Sequence, residues 1–374
     1  MRFQENWNRS KAGECDAVSL LVPSVRNRIL PLFVLPPPDE RDTEFSRRLS
    51  ASELVGVNAR RVGRVWPFRP CLLDPRFLFD ALDATDSSTW LPDFFRLSRS
   101  ASANPWLVAD LQNLESFMLA AAREVLRSQQ TPFALRLKPE DIEDDGLSNR
   151  IQRVLLSLVR KPSETLLLLD FGNSIDHSNT ADVAEIMVAT LQRVSAIGLW
   201  SQVVWQSTTY PEVNPAPAGD MVILSRGEWT AYQQACSIDP IVRSQLMFGD
   251  YAADSAKFNF GASGGRAIAH FRYSTSSSWL VSRGAKDGKL AEEMPKVAKR
   301  ITSSESFAGE TFSRGDLYIS EVAAGNAIGQ ALYWRCANTA HHLTRVTSDI
   351  GSMSDFSIEE IPVRERWQQV ALNV

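Results

Sequence analysis

The sequence predicts an α/β protein built as a (β/α)8-type barrel with a C-terminal hairpin and helical cap, the alternative being an open doubly wound parallel sheet. Three observations predict it. Short, almost continuously apolar runs recur along the chain, as expected of strands buried on both faces. Most of the runs close on a polar or charged residue, which marks where a strand leaves the core. Segments of helical period lie between them, and a chain that alternates strand with helix pairs its strands in parallel through right-handed crossovers.

The runs, in order, are Ile29–Leu35, Cys71–Asp74, Trp106–Asp110, Phe133–Arg136, Leu166–Asp170, Val203–Gln206, Met221–Arg226 and Leu246–Asp250. Phe3 to Ser10 is a weaker candidate for an opening strand, and Met221–Arg226 either joins the barrel or forms a short rim strand. Glu14–Arg26 is a candidate helix. In Asn113–Gln129, residues Leu114, Phe117, Met118, Ala121, Ala122 and Val125 share one face at helical spacing. Leu147–Leu158 and Thr180–Val194 have the same texture, the latter with Thr180 as N-cap and Asp182 in the first turn. After Tyr251 the pattern changes: Ala267–Tyr273 and Ser278–Arg283 flank a serine-rich turn and read as a β-hairpin. The expected division is a barrel over 1–255 and a hairpin and helical region over 256–374 packed on it.

With 374 residues and 44% hydrophobic content, the chain can bury one large core or two moderate ones. Its net charge is −4, with 40 basic and 44 acidic residues interspersed, which argues against a generic nucleic-acid or anionic-membrane surface. No apolar run approaches the roughly 18 residues of a membrane span and the N-terminus lacks an apolar leader, so a cytoplasmic protein is expected. Cys15, Cys71, Cys236 and Cys336 lie far apart and outside any zinc spacing, which fits reduced thiols.

In a parallel barrel the strand exits form the carboxyl-end mouth, where active sites sit. Asp74, Asp110, Asp170 and Asp250 all end apolar runs. Carboxylates converging there suit acid/base work or a divalent metal, although Asp is equally the ordinary cap of the following helix. Arg136 interrupts an apolar strand, so its guanidinium must meet a carboxylate such as Asp110 or Asp170, or an anionic ligand. Arg226 with Glu228, and Arg272, Tyr273, Trp279 and Arg283 in the hairpin, add cations and aromatics suited to a planar, negatively charged ligand. The competing explanation is an Arg–Asp lattice that closes the mouth. Lys11 and Glu14 stand where the opening strand would turn into its helix. Of the adjacent pair His341-His342, taken as lying on a strand, only one would enter a given site. Dinucleotide, P-loop, α/β-hydrolase and zincin signatures are all missing.

Lys11-Ala-Gly-Glu14, Ile29-Leu-Pro-Leu32, Ser225-Arg-Gly-Glu-Trp229, Phe248-Gly-Asp-Tyr251, Arg272-Tyr273, Trp279-Leu-Val-Ser-Arg-Gly284, Ser313-Arg-Gly-Asp316 and His341-His342 follow one another in an order that resembles the Beta protein family. That family occurs in bacteria and phages, often near mobile or defence-related genes, and has no established activity. The resemblance implies that Lys11, Glu14, Arg226, Glu228, Asp250, Tyr251, Arg272, Tyr273, Arg283 and His342 form one constellation. It implies no reaction.

The expectation from these residues is a mouth that binds a phosphorylated small molecule, a nucleotide or its derivative being the nearest class, with Arg136, Arg226 and Arg283 on the anion. If it is an enzyme, hydrolysis of a phosphoester or glycosidic bond fits, with Asp170, Glu228, Asp250 and His342 as the catalytic candidates. Lys11, Glu14, Tyr251, Arg272, Tyr273 and Trp279 complete the ligand-binding set. The alternatives are a non-catalytic recognition subunit, with a protein partner in a phage-defence or mobile-element complex, and a metal-dependent nuclease.

Overall fold

The computed structural model describes residues 16–37, 47, 49–79, 82, 87–258, 267–327 and 331–361. Lys11, Glu14, Cys15 and the expected opening strand lie outside them. The chain divides into two compact units: one comprises Leu30–Thr208 with Gly227–Tyr251, the other Met1–Ile29, Thr209–Arg226 and Ala252–Val374. The division is therefore interleaved, where the sequence suggested one cut near residue 255.

The first unit carries strands β1 (Leu32–Val34), β2 (Pro70–Asp74), β3 (Asn104–Asp110), β4 (Phe133–Leu137), β5 (Thr165–Gly172), β6 (Gln202–Ser207) and β8 (Leu246–Gly249) in a seven-stranded sheet. Every pairing is parallel and the order follows the chain without reversal. The α/β class and the parallel sheet are as expected; among the described residues the sheet is curled and has seven strands. Strand alternation sorts its residues cleanly. Leu72, Val108, Ala134, Leu166 and Leu168 form a core with Leu30, Leu32, Trp106 and Val204. Every member except Leu30 belongs to a strand, so one face of the sheet packs on itself, which is why it curls.

Helices α1 (Ala51–Val65), α2 (Ser87–Ser100), α3 (Leu119–Ser128), α4 (Leu147–Leu158), α5 (Thr180–Ser195), α6 (Gly227–Ile238) and α7 (Pro240–Gln245) connect the strands. Helix α1 starts at a reciprocal box in which Ser50 accepts from the Glu53 amide and Glu53 accepts from Ser50. The segment expected as one helix over Asn113–Gln129 is interrupted by a π-helical stretch at Leu114–Met118 before α3 begins. Helix α4 has the expected bounds. For α5 the cap is Asn179, whose side chain accepts from the Ala181 amide at 3.2 Å, and not Thr180, which is already helical. Asn179→Ala should therefore lower stability by about 1 kcal/mol and Thr180→Ala by much less. Urea titration of the two variants checks this, and a larger loss from Thr180→Ala would contradict the assignment.

The second unit contains a three-stranded antiparallel sheet ordered β7 (Met221–Ser225), β10 (Ser278–Arg283), β9 (His270–Ser274). The hairpin β9–β10 is as expected. Strand β7, however, pairs antiparallel with β10 and belongs to this sheet, so it is neither a barrel nor a rim strand. Its burial explains the misreading: Ile223 is exposed, so the run is not sealed on both faces despite its apolar composition. Helices α8 (Leu290–Thr302), α9 (Arg314–Ala323) and α10 (Ala331–Ser354) cover one sheet face, burying Phe271, Tyr273 and Leu280 with Met294, Val297, Ile301, Ile319 and Trp334. Among the described residues no helix is long and apolar enough to cross a membrane.

Candidate functional site

Where β2 to β6 end, the face of the sheet that packs on itself changes from apolar to charged. Alternation carries Asp74 two residues beyond Leu72, Asp110 beyond Val108, Arg136 beyond Ala134, Asp170 beyond Leu168 and Gln206 beyond Val204. In register, Asp110 lies opposite Arg136 and Asp170 opposite Gln206. All are at the carboxyl end, the side on which open and closed α/β sheets place ligands.

Arg136 is the centre. It is fully buried, its Nη1 donates to Asp110 Oδ1 at 3.0 Å, and Nη2 lies 2.7 Å from Asp74 Oδ2 and Nε 3.3 Å from Asp170 Oδ2. Burial disfavours the guanidinium charge, but Asp74, Asp110 and Asp170 more than offset this and make Arg136 still harder to deprotonate. The same balance operates on Asp74: burial works against its ionisation, yet Arg136, Arg76 and the Arg76 amide hold its carboxyl below the ordinary value. Arg76 reaches Asp74 with both its backbone amide and its Nε, each at 3.0 Å, and Lys138 Nζ stands 3.5 Å from Asp110 Oδ2. Tyr251 donates its hydroxyl to Asp170 Oδ1. Burial and the adjacent Asp170 charge push the Tyr251 phenol well above its usual range.

Three carboxylates thus meet three cations. The position among Asp74, Asp110 and Asp170 that a metal would take is filled by the guanidinium. No three His, Cys, Asp or Glu side chains are grouped to hold a metal ion among the described residues.

Of the remaining sequence candidates, Asp250 and Glu228 belong to this unit and the others to the second. Asp250 follows β8 in the same unit, and its carbonyl accepts from Gln206 Nε2 at 3.2 Å. Glu228 is buried in the first turn of α6. Arg226, Arg272, Tyr273, Trp279, Arg283 and His342 belong to the other unit. There Arg226 is buried against Asp349 at 2.9 Å and the Thr275 carbonyl at 2.5 Å. Arg272 pairs with Asp254 at 2.6 Å and lies over the Tyr210 ring, while Arg283 donates to the Ala216 carbonyl at 3.1 Å. Register places Tyr273 with Leu280 and Trp279 with Ser274, so the two aromatics occupy opposite faces and share no pocket wall.

His341 and His342 lie on helix α10, not on a strand. His342 stacks on Trp279 with ring centres 4.6 Å apart, and His341 on Tyr273 at 3.8 Å. His341 faces Asp316 Oδ2 through Nδ1 at 2.9 Å and the Ser274 carbonyl through Nε2 at 2.7 Å. Three residues earlier, Asn338 accepts from the Arg272 amide at 3.2 Å. One face of α10 therefore satisfies the outward backbone groups of strand β9, a way of blunting an exposed sheet edge. The Ser313-Arg-Gly-Asp316 motif is explained by the same junction: Ser313 caps α9, and an added Cβ at Gly315 would sit 2.3 Å from the Ala337 carbonyl. Asp316 also accepts from Tyr273 and Ser313.

Sequence reasoning did not single out Arg76, Lys138 and Gln206. Lys138 follows Arg136 by two residues, the strand period, and Gln206 closes its run in the position that Asp170 holds in the run before it. Both signals were present. In the second unit Asp254, Asn338 and Asp349 were missed and Asp316 was noted only as the end of its motif, because a partner distant in the chain leaves no local pattern.

A family model described as Beta protein matches residues 9–348. No curated protein matches the chain.

Proposed function

The chain belongs to the Beta protein family, and we propose that the carboxyl end of its seven-stranded sheet recognises a phosphorylated small molecule. The observation that carries this reading is the charged layer built from Asp74, Asp110, Arg136 and Asp170 at the strand ends. Arg136 is committed to protein carboxylates, so it supplies the fixed charge beneath the site. The anion is held by the cations at its margin, Lys138 with a side chain 36% exposed and Arg76 with one 20% exposed. Recognition is favoured over hydrolysis by the state of the acids. A general acid must carry a proton at the working pH, whereas Arg136 and Arg76 hold the Asp74 carboxyl below its ordinary value.

We read the sheet itself as a (β/α)8-type barrel arrangement. Its order never reverses, unlike that of a doubly wound sheet at its switch point, and its inner face packs on strand residues.

Calorimetry of the full chain against nucleotides and sugar phosphates tests the ligand. Lys138→Ala should weaken binding about tenfold while leaving stability within about 1 kcal/mol, because the side chain is a partly exposed ion-pair partner. Failure of every phosphorylated compound to bind the wild type would remove the proposal.

A further inference from the structure

We infer that Gln206 selects the ligand by accepting a hydrogen bond from one of its hydroxyls, so that the ligand class is sugar phosphates; this rests on the phosphorylated-ligand reading above. Gln206 is only 6% exposed, and its Nε2 is used by the Asp250 carbonyl. That bond fixes which end of the amide is which and leaves Oε1 buried without a donor. An amide oxygen closed off from solvent is retained at a cost, and a bound donor removes that cost. The residue opposite on β8 is Gly249, which adds no side chain to the layer, and the residue opposite on β5 is Asp170.

Gln206 Oε1 and the Asp170 carboxylate are both acceptors, so the group they recognise must donate. An ammonium would donate, but it would bring a fourth cation to a layer in which three acids already meet three bases. Neutral hydroxyls supply the donors without adding charge. A molecule with an anion for Lys138 and Arg76 and hydroxyls for Gln206 and Asp170 is a phosphorylated sugar.

The test titrates the full chain with inorganic phosphate and with ribose 5-phosphate, for the wild type and Gln206→Met. The wild type should bind ribose 5-phosphate at least tenfold more tightly than phosphate. Gln206→Met should bring the two within about threefold by weakening the sugar phosphate alone. A thermal melt reports whether the variant is folded; should it not fold, the wild-type preference decides. Equal affinities in the wild type, or an unchanged preference in a folded Gln206→Met, overturn the role of Gln206 and leave the anion reading standing. If neither compound binds the wild type, both readings fall.

Discussion

Arg136→Met is expected to destabilise the chain by about 3–5 kcal/mol at neutral pH, since it strands three buried or half-buried carboxylates that this one guanidinium holds together. The loss should depend on pH, with a sign that can be worked out. In the wild type, burial opposes ionisation of Asp74, but the cations prevail and its value is depressed. A depressed carboxyl contributes stability that is complete above its unfolded value, about 3.9, and is lost as pH falls through the folded value. Without Arg136, the burial of Asp74 is opposed by Arg76 alone, so its carboxyl moves up from the wild-type value and the variant gains less stability than the wild type as pH rises. The gap between variant and wild type should therefore be wide at about pH 7.5 and narrow at about pH 4.5, which urea titrations at the two values would measure. An equal loss at both would show that the effect is packing and not charge. Methionine preserves most of the aliphatic volume, which isolates the charge.

The parallel sheet was legible in the sequence because strands buried on both faces leave continuous apolar runs, and Arg136 stood out because nothing else charged interrupts one. Its pairing followed from burial alone. What could not be read was which unit a motif belongs to. Strand β7 has the composition of a barrel strand, yet it is held by β10, more than fifty residues later in the chain. The hairpin cations and aromatics looked like one pocket because they are close in sequence, whereas alternation sends Tyr273 and Trp279 to opposite faces. His341 was misjudged for a related reason. Taken as a strand residue it had no partners, but on α10 it sits one helical turn from Asn338 and meets both strand β9 and Asp316.

That junction gives the second large effect. Asp316→Ala should lower stability by about 3–5 kcal/mol, because Asp316 is a completely buried acceptor for Tyr273, Ser313 and His341. The two hydroxyl donors can be assigned. Tyr273 Oη accepts from the Ala308 amide, and Ser313 Oγ accepts from the amides of Gly315 and Asp316, so each hydroxyl proton is left to point at the carboxylate. Both His341 nitrogens face oxygens, Nδ1 the Asp316 carboxylate and Nε2 the Ser274 carbonyl. Removing the carboxylate strands all three partners and the β9 edge contact that His341 provides. His341→Ala in the Asp316→Ala background should then be much less harmful than in the wild type, since the ring has already lost its Asp316 partner. A double-mutant cycle measured by urea unfolding gives the coupling, expected to exceed about 1 kcal/mol for groups in direct contact. Additive losses would mean that the two side chains stabilise the unit independently and that the network is geometric only.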